Sequence, residues 1–402
     1  MNNLLTTPAI SDKNREKLLW LLASATFIIF FQAYMIAPLI PSLATTFGVS
    51  QQLTGILIPA YLIPYAVSTL FFGLLADRFG PTSIITASLT AFVALSFFTS
   101  TAANMDQFIL WRFLTGVGSS GVIPISVSLT GRLFSFEERG RPLGLLFGAM
   151  AGGAAAGSTL GVAVAPVVGW RFLFIGLAIL ASIALLLLVF GIKKLRLPKP
   201  VTTGITLTAI INGYYNLLAQ RRGLRTYFYV FCNGIFHSGV FTWLGLYLKD
   251  NYGLNEWQIG LALMGYGLPG FIFGPFIGRA ADKNGRKRLL PSGILLSALS
   301  VGLLALHLPL WMACLLITIL SLGYDLSQPL LAGIVTDLGK NQPGQAMGLN
   351  VFTLFMGFGL GSLLFGAMVP YGWAVALITF TTFQLTIALF GFKVFKRETN
   401  KI

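Results

Sequence analysis

Residues 31–80 read FQAYMIAPLIPSLATTFGVSQQLTGILIPAYLIPYAVSTLFFGLLADRFG, and residues 236–285 read FHSGVFTWLGLYLKDNYGLNEWQIGLALMGYGLPGFIFGPFIGRAADKNG. The two stretches align without a gap at an offset of 205, the difference between 253 and 48. Gly48 pairs with Gly253, Gly55 with Gly260, Tyr61 with Tyr266, Pro64 with Pro269, Gly73 with Gly278, Asp77 with Asp282 and Gly80 with Gly285. The register continues through Gly118 and Gly323, then Pro124 and Pro329. Beyond that it slips by one, pairing Gly144 with Gly348, Gly153 with Gly357 and Gly157 with Gly361. The chain is a duplication.

Both copies are built from apolar runs of about 20 residues, the length that crosses a hydrocarbon core. Hydrophobic residues make up 55% of the chain and charged residues 10%, too few charges for a soluble fold of this length. Twelve spans are predicted, at roughly 19–41, 54–76, 83–101, 107–130, 143–167, 170–191, 225–248, 257–277, 289–308, 310–336, 343–368 and 373–392. The 45 glycines suit close packing of membrane helices. A duplicated helical bundle in a membrane is the usual build of a transporter that rocks one half against the other.

The net charge of +15 invites a nucleic-acid reading, and placement rejects it. Of 27 lysines and arginines, all but Arg112, Arg171 and Lys249 fall in the two tails and in alternate loops. That asymmetry puts both termini in the cytoplasm, so the expected location is the cytoplasmic (inner) membrane, crossed many times. No nucleic-acid partner is expected. The first 17 residues are polar and mixed in charge and do not form a signal peptide. Cys232 and Cys314 lie inside spans and are expected to be small packing residues.

The expected organisation is a tail over 1–17, a six-helix half over 18–192, a basic link over 193–223, a second six-helix half over 224–394 and a tail over 395–402. The link contains ITLTAIINGYYNLL, too short and polar to span. It either lies along the membrane surface as an amphipathic piece or is a plain tether.

The loop after span 2 reads GLLADRFGPTS from Gly73 to Ser83, and its copy reads GRAADKNGRKR from Gly278 to Arg288. Gly80 permits a tight reversal with positive φ. Asp77 leaves the end of span 2, where a carboxylate can accept hydrogen bonds from the open N-terminus of a neighbouring helix. The pair resembles the signature loop of the major facilitator superfamily, G-x-L-a-D-r-x-G-r-[KR]. The first copy departs at Pro81, Thr82 and Ser83, where basic residues are usual; the second keeps Arg286, Lys287 and Arg288. The resemblance implies an all-α membrane bundle of twelve helices, in two pseudo-symmetric six-helix halves around a central cavity. It also implies a latch between the halves, formed by Gly73, Asp77, Arg78, Gly80, Gly278, Asp282, Gly285 and Arg286. Asp77 would face the start of span 11 near Gly344 to Met347, and Arg78 would seek Glu137 or Glu138. Loop reversal with basic cytoplasmic charge alone is the other reading.

Span 4 carries WRFLTGVGSSG, which resembles the family's R-x-x-x-G-x-G pattern through Arg112, Gly116 and Gly118. The resemblance gives Arg112 a part in proton coupling. A guanidinium in lipid is costly, so Arg112 should face the bundle interior; snorkelling at the outer interface is the alternative. Span 5 resembles the antiporter signature G-x-x-x-G-P-x-x-G through Gly153, Gly157 and Gly161, with Ser158 in place of the proline. Glycines four apart let two backbones approach closely, and Pro166 could kink the helix further on.

Of twelve carboxylates, only Asp325 falls near the middle of a span, in SLGYDLSQP, with Gln328 beside it. His237 lies mid-span 7, opposite its repeat mate Gln32 in span 1. In the family, spans 1, 4, 7 and 10 line the central cavity, so Gln32, Arg112, His237 and Asp325 are expected to converge there. Burial disfavours the charged form of a carboxyl, so Asp325 could take up and release a proton, and a nearby imidazole could share it. The alternatives are a core histidine bonded to a carbonyl and a structural carboxylate bonded to Asn233 or Asn350. Tyr34, Tyr61, Trp243, Tyr266, Tyr324 and Gln328 are the further candidate cavity residues; a subset of the aromatics could stack on a flat organic ligand or a cation, the others serving packing or the interface belt.

The expected function is alternating-access transport, with proton-coupled efflux of small, largely apolar molecules first and proton-symport uptake of a nutrient second. Partners are then a small-molecule substrate, protons and the lipid bilayer, with a monomer as the default state. The sequence holds no HExxH, no G-x-S-x-G in a suitable context and no metal-spaced His or Cys pair. No enzyme activity, cofactor or metal is expected.

Overall fold

A computed structural model describes residues 12–134, 140–193, 207–270, 272, 273, 277, 286–339, 343–396 and 398. Among them there is no strand. The first half comprises α1 (Asp12–Tyr34), α2 (Ile40–Phe47), α3 (Gln51–Gly55), α4 (Pro59–Phe79), α5 (Pro81–Ser100), α6 (Met105–Ser119), α7 (Val122–Leu133), α8 (Gly140–Val168) and α9 (Trp170–Lys193). The link contributes α10 (Leu207–Ala219). The second half comprises α11 (Arg221–Tyr252), α12 (Glu256–Leu263), α13 (Arg286–Leu304), α14 (Leu310–Leu338), α15 (Pro343–Met368) and α16 (Trp373–Val394).

Nine stretches among the described residues are long and apolar enough to cross a membrane. The expected spans outside that set are 5, 7 and 8. A few side chains of α8, and residues 271 and 274–276 of span 8, lie outside the described residues. The α11 helix carries Asn233, His237 and Lys249 and is buried along most of its length, so it need not be apolar towards lipid. Elsewhere the apolar surface faces outward: α9 exposes Ile179, Leu180, Leu186 and Phe190, as a helix against acyl chains should.

The duplication is visible in local geometry. Gly48 and Gly253 both end a helix in the left-handed conformation, with φ of +63° and +66°, where a side chain would be strained. Two residues later, Ser50 and Asn255 each cap the next helix, accepting from the amides of Leu53 and Gln258. The repeat extends to packing. A Cβ on Gly153 or Gly157 would collide with the carbonyl oxygens of Phe27 and Phe31, and one on Gly161 would lie 2.8 Å from the Met35 Cβ. The same arrangement recurs where Gly357 and Gly361 of α15 press on the carbonyls of Phe231 and Ile235 of α11. The glycine motif of span 5 is thus a contact face onto α1, inside its own half. The α8 helix runs through Pro166 to Val168 without ending there.

The link is not a plain tether. Leu217 of α10 is buried and Tyr214 half-buried against Tyr227, Val335, Ala346 and Leu349. Next to it, Glu398 ties the second half together. Arg222 donates to both Glu398 carboxylate oxygens at 2.9 and 2.7 Å and to Asp337 Oδ2 at 2.6 Å. Arg225 also donates to Glu398, and the Arg286 amide donates to the Glu398 carbonyl at 3.0 Å.

Candidate functional site

Spans 2 and 8 are both interrupted. In the first half, α3 ends at Gly55 and the helix resumes at Pro59. In the second, α12 ends at Leu263, the chain turns through Gly267 at φ +91°, and helix resumes at 268. An interrupted helix exposes backbone groups that must find partners in the bundle. The partners come from spans 4 and 10, the matching positions of the two repeats. Arg112 of α6 donates from Nε to the Leu57 carbonyl at 3.2 Å. Asp325 of α14 faces the Gly270 backbone amide, and a Cβ on Gly270 would lie 2.5 Å from Asp325 Oδ1. A cation holds a carbonyl in one half, and an anion faces an amide in the other.

Arg112 is buried, with its guanidinium 4.3 Å from the Tyr61 ring centroid. It does not snorkel to an interface. Its Nη1 has no hydrogen-bond partner among the described residues. Asp325 is half-buried. Its Oδ2 accepts from Ser321 Oγ at 3.4 Å, and Ser321 Oγ itself accepts from the Gly267 amide at 2.8 Å. Neither Asn233 nor Asn350 is its hydrogen-bond partner. Among the described residues no ion pair involves Asp325, and both of its donors are neutral.

The four residues expected to converge each meet partners of their own. Gln32 points into the first half, where its Nε2 donates to Ser96 Oγ at 2.6 Å. Arg112 is taken up by Leu57 and Tyr61 as described. His237 is buried against the Tyr324 ring at 4.7 Å between centroids, and neither ring nitrogen has a partner among the described residues. Gln328 accepts from Asn233 at 3.1 Å, and Asn233 accepts from Gln384 at 3.2 Å, a polar chain inside the second half.

What does cross between the halves is an aromatic run. Tyr61 lies 6.0 Å from Tyr65, Tyr65 4.6 Å from Phe355, and Phe355 6.0 Å from Phe30. Phe30 stacks on Tyr34 at 6.1 Å, Tyr34 meets Phe241 at 5.4 Å, and Phe241 meets Tyr266 at 4.4 Å. A branch runs from Phe355 through Phe358 to Tyr324. Tyr34, Tyr266 and Tyr324 lie within electrostatic reach of one another, and Tyr266 and Tyr324 within reach of Asp325. Trp243 closes the seam elsewhere: a Cβ on Gly55 would lie 2.5 Å from its ring, and its Nε1 donates to the Ser362 carbonyl at 3.0 Å. Pro38 meets Gly245, and Ile63 meets Gly359, along the same seam.

Of the expected latch, Gly80 takes φ +90° between α4 and α5, and Arg78 is exposed with its guanidinium 5.3 Å from the Phe79 ring centroid. The side chain of Asp77 lies outside the described residues, as do Glu137, Glu138, Gly278, Asp282 and Gly285. Gly73 lies in α4, and Arg286 opens α13. The sequence reading missed Ser321, Gly267 and Gly270, although Ser321 and Asp325 at four-residue spacing were a usable signal. It also missed Phe241 and Phe355, which sit among 34 phenylalanines with nothing local to distinguish them.

Comparison with known proteins agrees with this fold. The family model of the Major Facilitator Superfamily matches residues 22–257 and 226–401. The uncharacterized MFS-type transporter YceJ of Bacillus subtilis (strain 168) is 26% identical over 385 residues, covering 91% of this chain and 95% of that protein. The quinolone resistance protein NorA of Staphylococcus aureus (strain COL) is 24% identical over 362 residues, covering 88% and 90%. The crystal structure of a D-xylose–proton symporter superposes with a TM-score of 0.78 at 18% identity, covering 96% of this chain and all of that one, a likeness of fold.

Proposed function

The chain belongs to the major facilitator superfamily, a family of membrane transporters and not enzymes, and on that ground we propose that it exports small, largely apolar organic molecules in exchange for protons. The observation that carries this reading is Asp325. It is a half-buried carboxylate with two neutral donors, set beside Tyr266 and Tyr324 at the seam between the halves. A carboxylate without a protein cation favours taking up a proton when water withdraws. Aromatic faces from both halves offer stacking area to a flat apolar solute. The similarity to NorA, named as a quinolone resistance protein, supports efflux.

Substrate enters from the cytoplasm and lies against the aromatic run. The halves rock, the seam at Trp243 and Pro38 parts, and the site meets the outer solution. A proton then neutralises Asp325, substrate leaves, and the protonated carrier returns. His237 is the group that answers the change in charge, and Arg112 is a fixed cation on the opposite half. Gln32 and Gln328 act through the half-interior networks. Asp77, Arg78 and the matching second loop latch the cytoplasmic ends. Both termini are cytoplasmic, the halves meet at the 193–223 link, and the unit is a monomer in the inner membrane.

The test is a panel of lipophilic cations, neutral aromatics and sugars added to everted vesicles holding a pH gradient. Collapse of the gradient by an apolar member supports export. Accumulation of a sugar or another nutrient together with protons would replace export with symport, for which the same carboxylate would serve.

A further inference from the structure

Three glycines at the interruption of span 8 meet one stripe of α14. A Cβ on Gly265 would collide with Thr318 Oγ1, the Gly267 amide donates to Ser321 Oγ at 2.8 Å, and Gly270 presses on Asp325. Thr318, Ser321 and Asp325 are three and four residues apart, on one helix face. Ser321 joins the two ends of this contact, because its hydroxyl accepts from Gly267 and donates to Asp325 Oδ2. One hydroxyl can do both. The turn also faces the other half: a Cβ on Gly267 would lie 2.9 Å from the Ala155 Cβ of α8. Gly267 at φ +91° holds a backbone conformation that other residues rarely adopt.

We infer that Ser321 is the positioning residue through which the charge of Asp325 reaches the seam between the halves, with the Gly265–Gly270 turn as the moving part. The inference rests on Asp325 being the proton carrier. Hydrogen bonds to an ionised carboxylate are stronger than neutral ones, so the anion draws Ser321 and the Gly270 amide onto α14. Protonation removes that advantage. Ser321 can then turn its hydroxyl away, the hold on Gly267 slackens, and a glycine-rich turn moves at little conformational cost. Because the turn is seated on Ala155, its shift changes how span 8 meets α8, a contact that must rearrange for access to alternate. The titratable groups around Asp325 are Tyr266 from the turn, Tyr324 from α14, Tyr34 from α1 at one remove, and His237 of α11 against Tyr324. Among the described residues none of these is a lysine or arginine, and the groups that answer the anion there are dipoles.

The test uses spin labels at Leu160→Cys on α8 and Leu261→Cys on α12, two lipid-exposed positions, in full-length reconstituted protein carrying Cys232→Ala and Cys314→Ala. The label distance is read at acid and alkaline pH beside gradient-driven export and gradient-free counterflow. The labelled parent and Ser321→Thr should show a pH-dependent distance and driven export. Ser321→Ala should lose the distance response and driven export while keeping counterflow, which a merely structural defect would also remove. A Ser321→Ala response equal to the parent's, or a parent without one, overturns the inference. Asp325→Asn separates the two claims: if it keeps wild-type driven export, the proton-carrier reading fails and this inference with it. If it loses driven export while Ser321→Ala does not, the inference alone fails. Should Ser321→Ala not reconstitute, Gly267→Ala probes the same turn from the other side, and an unchanged pH response there also overturns the proposal.

Discussion

Gly270 and Asp325 are packed so closely that a Cβ on the glycine would lie 2.5 Å from Asp325 Oδ1 and 2.7 Å from its Cγ. No side chain fits between the interrupted span 8 and α14 without one of them moving. Gly270→Ala should therefore destabilise the protein by about 1–3 kcal/mol, the usual cost of overpacking. It should also reduce gradient-driven transport more than counterflow. Thermal unfolding in detergent, paired with the two transport modes, checks this; wild-type values in both would show that the contact is slack.

The opposite half holds the mirror arrangement. Arg112→Leu removes the donor to the Leu57 carbonyl and leaves a buried acceptor unmatched. A loss of about 1–3 kcal/mol is expected. Arg112→Lys should not restore it, because an ammonium lacks the planar fork that reaches Leu57 while lying over Tyr61. Melting curves of the two variants decide the matter, and full rescue by lysine would contradict the assignment.

The span 5 glycines act inside the first half. Gly157→Val would drive a branched side chain into the Phe31 carbonyl, forcing α8 off α1. Gly361→Val should do the same to α15 and α11 through the Ile235 carbonyl. Each should cost on the order of 3 kcal/mol, at the upper end for overpacking, and both should lower the yield of folded protein. If one variant is tolerated and the other is not, the packing symmetry of the repeats fails.

The Glu398 knot sets a pH dependence. Burial alone would raise this carboxyl, but the Arg222 hydrogen bond and the charges of Arg222 and Arg225 outweigh it and hold it below the usual glutamate range. Its stabilisation is then complete above the ordinary glutamate value and fades as pH falls through the lowered native one. Partly exposed pairs are screened, so about 1 kcal/mol is at stake. Glu398→Gln should lower the melting temperature at neutral pH and leave it unchanged in acid. A difference that persists in acid would point to lost packing.

Much of this architecture is legible in the residues. The apolar runs, the 205-residue offset and the paired Gly80 and Gly285 loops point to two halves by themselves, because lipid demands long apolar helices and tight reversals demand glycine. Asp325 stands out for the same reason: a carboxylate is expensive in mid-membrane. The interruption of span 8 does not stand out, since Gly265, Gly267 and Gly270 read equally well as small packing residues in a continuous helix. Gln32 shows the other limit. Its position as repeat mate of His237 suggests a cavity residue, but repeat register says nothing about helix rotation: its Nε2 donates to Ser96 inside the half, while its buried Oε1 has no partner among the described residues. Serine in a membrane helix usually bonds its own backbone, so Ser321 carried no warning that it would reach Gly267.

The central claim is that Asp325 carries the proton. The most direct measurement is proton flux in proteoliposomes on addition of a transported compound, comparing wild type with Asp325→Asn at equal reconstitution, with counterflow as the control for folding. The predicted result is substrate-dependent proton release in wild type and its complete loss in Asp325→Asn, with counterflow retained. Undiminished proton flux in Asp325→Asn would contradict it.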